Sequence, residues 1–316
     1  VTDAADTPPP TDVVARTLTH VVGRRCEVEL MVAALAADRH VVLEGPPGTG
    51  KSTLLRVVAE EMNLGFEFVE GNAELTPARL IGHFDPARVL VDGYKADVFV
   101  DGPLVCALRN GSLLYVEELN RVPEETLNVL ITVMSERELH VPRLGRIAAA
   151  PGFRLVAAMN PFDAVGTARI SSAIYDRVCR LSFRYQDAAD EASITSRMAG
   201  APVSAWLNRV VDLVRRTRDH TDIRIGSSVR GAIDMVHVAR SLAELRSQTV
   251  EHDAVGRDAA LVALSGRIRV REGCSRSPEE IITELFEAVF SEPGGDEGKV
   301  ATRDNEPGAT TPAASR

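Results

Sequence analysis

The run Gly45-Pro46-Pro47-Gly48-Thr49-Gly50-Lys51-Ser52 constrains this chain more than any other feature. It has the GxxxxGK[ST] spacing of a phosphate-binding loop. An apolar stretch at 40–44 precedes it and a helical stretch opens at Lys51. That strand–loop–helix context separates it from a chance glycine-rich turn. Glycines let main-chain N–H groups curl around phosphate oxygens. The start of the helix adds partial positive charge. The Lys51 ammonium reaches the β and γ phosphates, and the Ser52 hydroxyl, just before Thr53, meets a magnesium ion. ATP with Mg2+ is the ligand such a loop expects.

A second site is legible downstream. Ser112-Leu113-Leu114-Tyr115-Val116-Glu117-Glu118 is an apolar strand ending in two acids. In such a site the first acid, Glu117, supports the magnesium ion, through water. The second, Glu118, polarises the attacking water. The usual first acid is Asp. The extra methylene of Glu117 moves its carboxylate outward, so slow hydrolysis is expected.

Short apolar runs alternate with helical stretches over the first half of the chain. The runs lie at 40–44, 65–69, 112–116, 153–159 and 179–183. Fully apolar runs of this length between helices read as buried parallel strands. Helices are expected at 51–62 and 123–138. After Arg184 the strand signal stops, and 188–199, 202–221, 227–246, 253–267 and 278–290 all read as helical. The expected organisation is a flexible leader at 1–12, an α/β nucleotide-binding domain at 13–186, an all-α domain at 187–290 and a disordered tail at 291–316. The tail is rich in Gly, Pro, Ala, Thr and charge and cannot offset its ordering entropy by burial.

Charge narrows the partners. Lys and Arg number 36 against 45 Asp and Glu, a formal net charge of −9. Coating a nucleic acid needs a basic face, so no nucleic-acid partner is expected. No apolar run approaches the ~18 residues of a membrane span, so no membrane partner is expected either. Cys26, Cys106, Cys179 and Cys274 are far apart, which reads as reduced thiols in a soluble, cytoplasmic protein.

Further short motifs follow one another in an order that resembles the MoxR family of AAA+ ATPases, over roughly residues 20–290. Val21-Val22-Gly23-Arg24 looks like the family's N-terminal box. Residues 44–52 resemble its Walker A, and Asp101-Gly102-Pro103-Leu104 its GP[LI] element. Glu117-Glu118-Leu119-Asn120-Arg121 resembles DEINR, with Glu117 as the departure. Met159-Asn160-Pro161 resembles sensor 1. Tyr175-Asp176-Arg177 resembles its DRF triplet, with Val178 in place of Phe. Gly226-Ser227-Ser228-Val229-Arg230 resembles GASPR, with Val229 in place of Pro.

The resemblance implies a P-loop AAA+ fold, a parallel sheet flanked by helices and followed by a small helical lid. It implies a ring, a homo-hexamer, with nucleotide between neighbours. Val22 and Gly23 would lie against adenine, Asn160 would hold the attacking water, and Arg230 would report the γ phosphate. Arg177 would serve the next subunit's site in trans, with Arg169 as the second candidate. Residues 86–100 fall at the family's helix-2 insert, where Gly93 and Tyr94 either project toward the ring centre or form a surface loop. Residues 139–150 suit a hairpin. A von Willebrand factor A domain partner and a protein client to be remodelled or activated come from the resemblance alone. The CbbQ, NorQ and GvpN branches are similar too. The competing function is an ATP-gated assembly scaffold with little turnover. A P-loop kinase is disfavoured by the C-terminal helical block with Arg230, and a DNA-remodelling motor by the acidic balance.

Overall fold

The computed structural model describes residues 8–161 and 171–290. Two helices, α1 (Pro10–His20) and α2 (Arg25–Ala36), lead into strand β1 (His40–Glu44). Then follow α3 (Lys51–Glu61), β2 (Phe66–Glu70), α4 (Pro77–Ile81), β3 (Gly82–Phe84), α5 (Pro86–Asp92) and β4 (Phe99–Asp101). After α6 (Pro103–Asn110) come β5 (Leu113–Glu117), α7 (Glu124–Glu136), β6 (Glu138–Val141), β7 (Gly145–Ala148) and β8 (Arg154–Met159). The short helix α8 (Ser172–Tyr175) and strand β9 (Val178–Ser182) complete this half.

β2, β5, β8, β1 and β9, in that order, form one parallel sheet. β1 is buried along its whole length. Its side chains divide by period 2: Val42 joins the core on one face, Val41 and Leu43 the core on the other. A strand covered on both faces must be apolar throughout, which is why these runs are legible without alternation. All five expected strands are present, each within a residue of its expected bounds. β1 lies between β8 and β9, three places from β2, which follows it in the chain, so the strand order changes direction beside β1 and a crevice opens there at the C-terminal ends, where ligands of such sheets bind. Glu44, Glu117 and Met159 end their strands on that edge.

The C-terminal helical region holds α9 (Ala188–Ala199), α10 (Ala205–Asp219), α11 (Val229–Arg246), α12 (Asp253–Leu264) and α13 (Pro278–Phe290) around a separate core. It also contains a two-stranded antiparallel ribbon, β10 (Ile223–Ile225) with β11 (Arg269–Val270). So the strand signal does not end at Arg184. Three- and two-residue strands are too short to show a period.

The start of the chain also departs from expectation. α1 begins at Pro10, inside the expected leader, with Pro9 as its N-cap. Proline suits the first helical turn, where its missing N–H has no partner to lose. Val13 and Thr17 of this helix are fully buried. Residues 1–7 and 291–316 lie outside the described residues. The segment 86–100 is ordered by α5, a 3-10 turn at Ala96–Val98 and the pairing of β4 with β3. Tyr94 packs edge-on against Phe84, and the Arg143 guanidinium lies 3.7 Å from its ring centre. β6 and β7 form the expected hairpin. No helix among the described residues is long and apolar enough to cross a membrane. All four cysteines are free thiols.

Candidate functional site

The phosphate loop joins β1 to α3 at the edge of the sheet. Gly48 and Gly50 have φ of +74° and +81°, conformations that L side chains rarely adopt. A Cβ on Gly48 would fall 2.2 Å from Ser228 Oγ. Gly45 needs its bareness for close approach, since a Cβ there would meet the Phe183 carbonyl oxygen at 2.4 Å. The Thr49 hydroxyl donates to the Pro46 carbonyl at 2.9 Å, closing the turn. The Lys51 ammonium folds back across the loop and donates to the Gly45 and Pro46 carbonyls at 2.8 and 2.9 Å.

Burial pushes the Lys51 ammonium down to about 8, Glu117 opposes that shift, and Arg230 and Arg24 reinforce it. Three cations, Lys51, Arg230 and Arg24, therefore share this corner with two carboxylates, Glu117 and the Glu27 that pairs with Arg24 at 2.7 Å. Such an excess of fixed positive charge beside main-chain amides suits a polyanion.

Ser52, at the second position of α3, donates to Glu117 Oε1 at 2.6 Å. Its oxygen also lies 2.9 Å from the Tyr115 hydroxyl. Ser52 has one proton, already given to Glu117, so Tyr115 donates to Ser52. Tyr115 is fully buried, and burial raises its phenol well above the usual range. The longer Glu117 side chain thus reaches Ser52 directly. Hydroxyl and carboxylate oxygens side by side are hard donors of the kind Mg2+ takes.

Glu118 adopts the left-handed conformation at φ 54°, ψ 45°, a strain of order 1 kcal/mol for a non-glycine residue. Its carboxylate pairs with Arg121 at 3.2 Å and is 41% exposed. Asn120 is buried and its amide donates to the Asn160 carbonyl at 3.5 Å, tying this turn to the end of β8. Gly71 is a residue that sequence reasoning missed. Its N–H donates to the Glu117 carbonyl at 2.7 Å, and a Cβ there would sit 2.5 Å from the Glu118 carbonyl oxygen. A glycine just beyond a strand end is the available signal of close backbone approach.

A cleft of 340 Å3 opens beside the loop, lined by Val22, Gly48, Thr53, Met198 and Arg230 among others. It brings Val22 and the loop together with α9 and α11 of the helical region. The Val22 carbonyl accepts from Gln186 Nε2 at 2.5 Å. Arg24 is almost fully buried, donates to the Thr49 and Arg184 carbonyls at 3.1 and 2.6 Å, and lies over the Phe183 ring. Gln186, Arg24 and Tyr115 are thus part of this neighbourhood, though their residue types alone do not mark them.

The Arg177 guanidinium is not brought to its own phosphate loop. It donates to Ser135 Oγ at 2.5 Å and to the Ala173 carbonyl at 2.7 Å, on an exposed surface. Arg169 lies outside the described residues.

Residues 40–178 match the model of the AAA domain, dynein-related subfamily. An uncharacterized protein of Staphylococcus epidermidis is 29% identical over 213 residues, covering 66% of this chain and 80% of that protein. One of Staphylococcus aureus is 33% identical over 152 residues, 48% of this chain and 57% of that protein. The structure of the RuvB Holliday junction branch migration motor of Thermotoga maritima superposes with a TM-score of 0.53 at 18% identity, over 79% of this chain and 72% of that one. That likeness concerns the fold alone. The phosphate loop and the parallel sheet that carries it have a P-loop AAA+ fold, and residues 40–178 are similar to an AAA domain of the dynein-related subfamily.

Proposed function

We propose that the chain is a MoxR-type ring ATPase that binds and hydrolyses ATP to remodel or activate a protein client. The observation that carries this reading is the meeting of Ser52 with Glu117 at 2.6 Å, beside Lys51 at the sheet edge. Lys51 and the α3 N-terminus bind the triphosphate, and Arg24 braces the loop through the Thr49 carbonyl. Mg2+ fits the Ser52 and Glu117 oxygens, and when bound it neutralises phosphate charge. Glu118 orients and polarises the attacking water, and Asn160 helps hold it. Val22, which lines the cleft, and the adjoining Gly23 flank the base, and Arg230 reaches the γ phosphate from the helical region at 187–290, which acts as a lid. Arg177 faces away from its own loop, which suits an arginine that stabilises transition-state charge in a neighbouring subunit.

The homo-hexameric ring, the von Willebrand factor A domain partner, the client and the cytoplasmic setting rest on the MoxR resemblance and the free thiols. A second reading is an ATP-gated scaffold with little turnover. Glu117 in the first acid position and the Glu118–Arg121 ion pair favour it. Steady-state phosphate release by wild type and Glu118→Gln separates the two. The motor reading expects clear release that Glu118→Gln abolishes, and equal rates near zero favour the scaffold.

A further inference from the structure

Glu44 is a buried carboxylate that the scheme above does not use. It ends β1, directly before Gly45, and its side chain is 4% exposed. It accepts a hydrogen bond from the Tyr175 hydroxyl at 2.7 Å and pairs with Arg180. Tyr175 ends α8, two residues before Arg177. Burial, then the bond to Glu44, pushes the Tyr175 phenol up to about 12, so it remains a donor at neutral pH. On the other side of Glu44, the Gly45 carbonyl is one of the two that hold the Lys51 ammonium.

One peptide thus separates the Lys51 anchor from Glu44, one hydrogen bond separates Glu44 from Tyr175, and two residues separate Tyr175 from Arg177. Arriving phosphates compete for the ammonium that now holds Gly45 and Pro46, so the end of β1 is where occupancy is first felt. A purely structural acid would need only to be satisfied, and this one is satisfied by the element that bears the outward-facing arginine.

We propose that the Glu44–Tyr175 hydrogen bond is a positioning link through which the nucleotide in one subunit sets the placement of the Arg177 it offers to the next. The inference rests on the reading of Arg177 as an arginine acting in trans. It predicts that hydrolysis is cooperative in ATP and that removing one hydroxyl uncouples it.

The test is the ATP dependence of steady-state hydrolysis by full-length wild type, Tyr175→Phe, Glu44→Gln and Arg177→Ala. Wild type should show a Hill coefficient above 1. Tyr175→Phe should bind ATP within about twofold of wild type, yet hydrolyse it without cooperativity. Glu44→Gln keeps an acceptor for the Tyr175 hydroxyl and should keep the cooperativity, a rescue that simple loss of packing would not give. A cooperative Tyr175→Phe, or a wild type without cooperativity, overturns the link. Arg177→Ala is read separately: full activity there removes the trans arginine itself, and the link with it. If Tyr175→Phe folds poorly, hydrogen exchange in Glu118→Gln reads the link with Glu44 and Tyr175 intact. ATP should change amide protection over residues 173–177 by about twofold or more, and no change overturns the proposal.

Discussion

The Ser52 hydroxyl donates to the Glu117 carboxylate across 2.6 Å, and Tyr115 donates to the same serine from beneath. One strand and one helix start meet in that contact, because β5 carries Glu117 and Tyr115 while α3 carries Ser52. Replacing Glu117 by Gln keeps an acceptor for Ser52 but removes the charge that suits Mg2+. The magnesium concentration that half-saturates hydrolysis should rise by about tenfold or more. A magnesium titration of phosphate release at fixed ATP checks this, and an unchanged requirement would take Glu117 out of the metal site.

Lys51 loses its proton near pH 8 in the free chain, chiefly through burial. Bound phosphates raise that value, so above pH 8 nucleotide binding takes up a proton. Affinity should therefore fall as pH rises past 8, by up to about tenfold per unit. Calorimetry at pH 8.5 in buffers of unlike ionisation enthalpy should show net proton uptake. No uptake would mean that the ammonium does not contact the phosphates.

His40 opens β1 and accepts the Leu155 N–H at its Nδ1, 2.8 Å away. Burial and then the nearby Arg137 push its ring down to about 4. The unfolded chain holds this proton below about 6.5, so between these values the unfolded state binds more protons. Stability is full above pH 6.5 and falls on acidification, by about 3 kcal/mol over the window. Denaturant unfolding at pH 7 and pH 5 measures the fall, and His40→Gln should flatten it.

In the helical region, Glu191 has a 3% exposed side chain and takes ion pairs from Arg215 and Arg218. Arg218 also donates to the Ser227 carbonyl, just before the segment bearing Arg230. Glu191→Ala leaves the largely buried Arg218 without a carboxylate partner and should cost about 3 kcal/mol. The exposed Arg25–Glu29 pair makes the contrast: Glu29→Ala should cost under about 1 kcal/mol. Equal losses in chemical unfolding would contradict the account of the Glu191 network.

At Gly71 an added methyl would press on the Glu117 and Glu118 carbonyls. Gly71→Ala should bind ATP as wild type does and hydrolyse it at least about tenfold more slowly, by shifting Glu118. Single-turnover hydrolysis with a parallel binding titration separates the two effects.

The parallel strands were readable because strands buried on both faces are apolar without interruption, as β1 shows. The phosphate loop was readable because its glycines and Lys51 are fixed by local backbone chemistry. The roles of Tyr115, Arg24 and Gln186 were not, since each depends on what the fold brings beside it. Arg24 illustrates this: its place in the Val21–Arg24 motif gives no sign that its side chain is buried against Thr49, Arg184 and Phe183. The helix at α1 was hidden for a different reason, because prolines that break a helix interior also begin one. The ribbon of β10 and β11 was too short to leave a period.

The most direct test of the account is a calorimetric titration of ATP with magnesium into wild type and into Lys51→Ala. Saturable binding by wild type, weakened by at least about a hundredfold in Lys51→Ala, is the predicted result. Absence of binding by wild type, or equal affinity in both proteins, would contradict it.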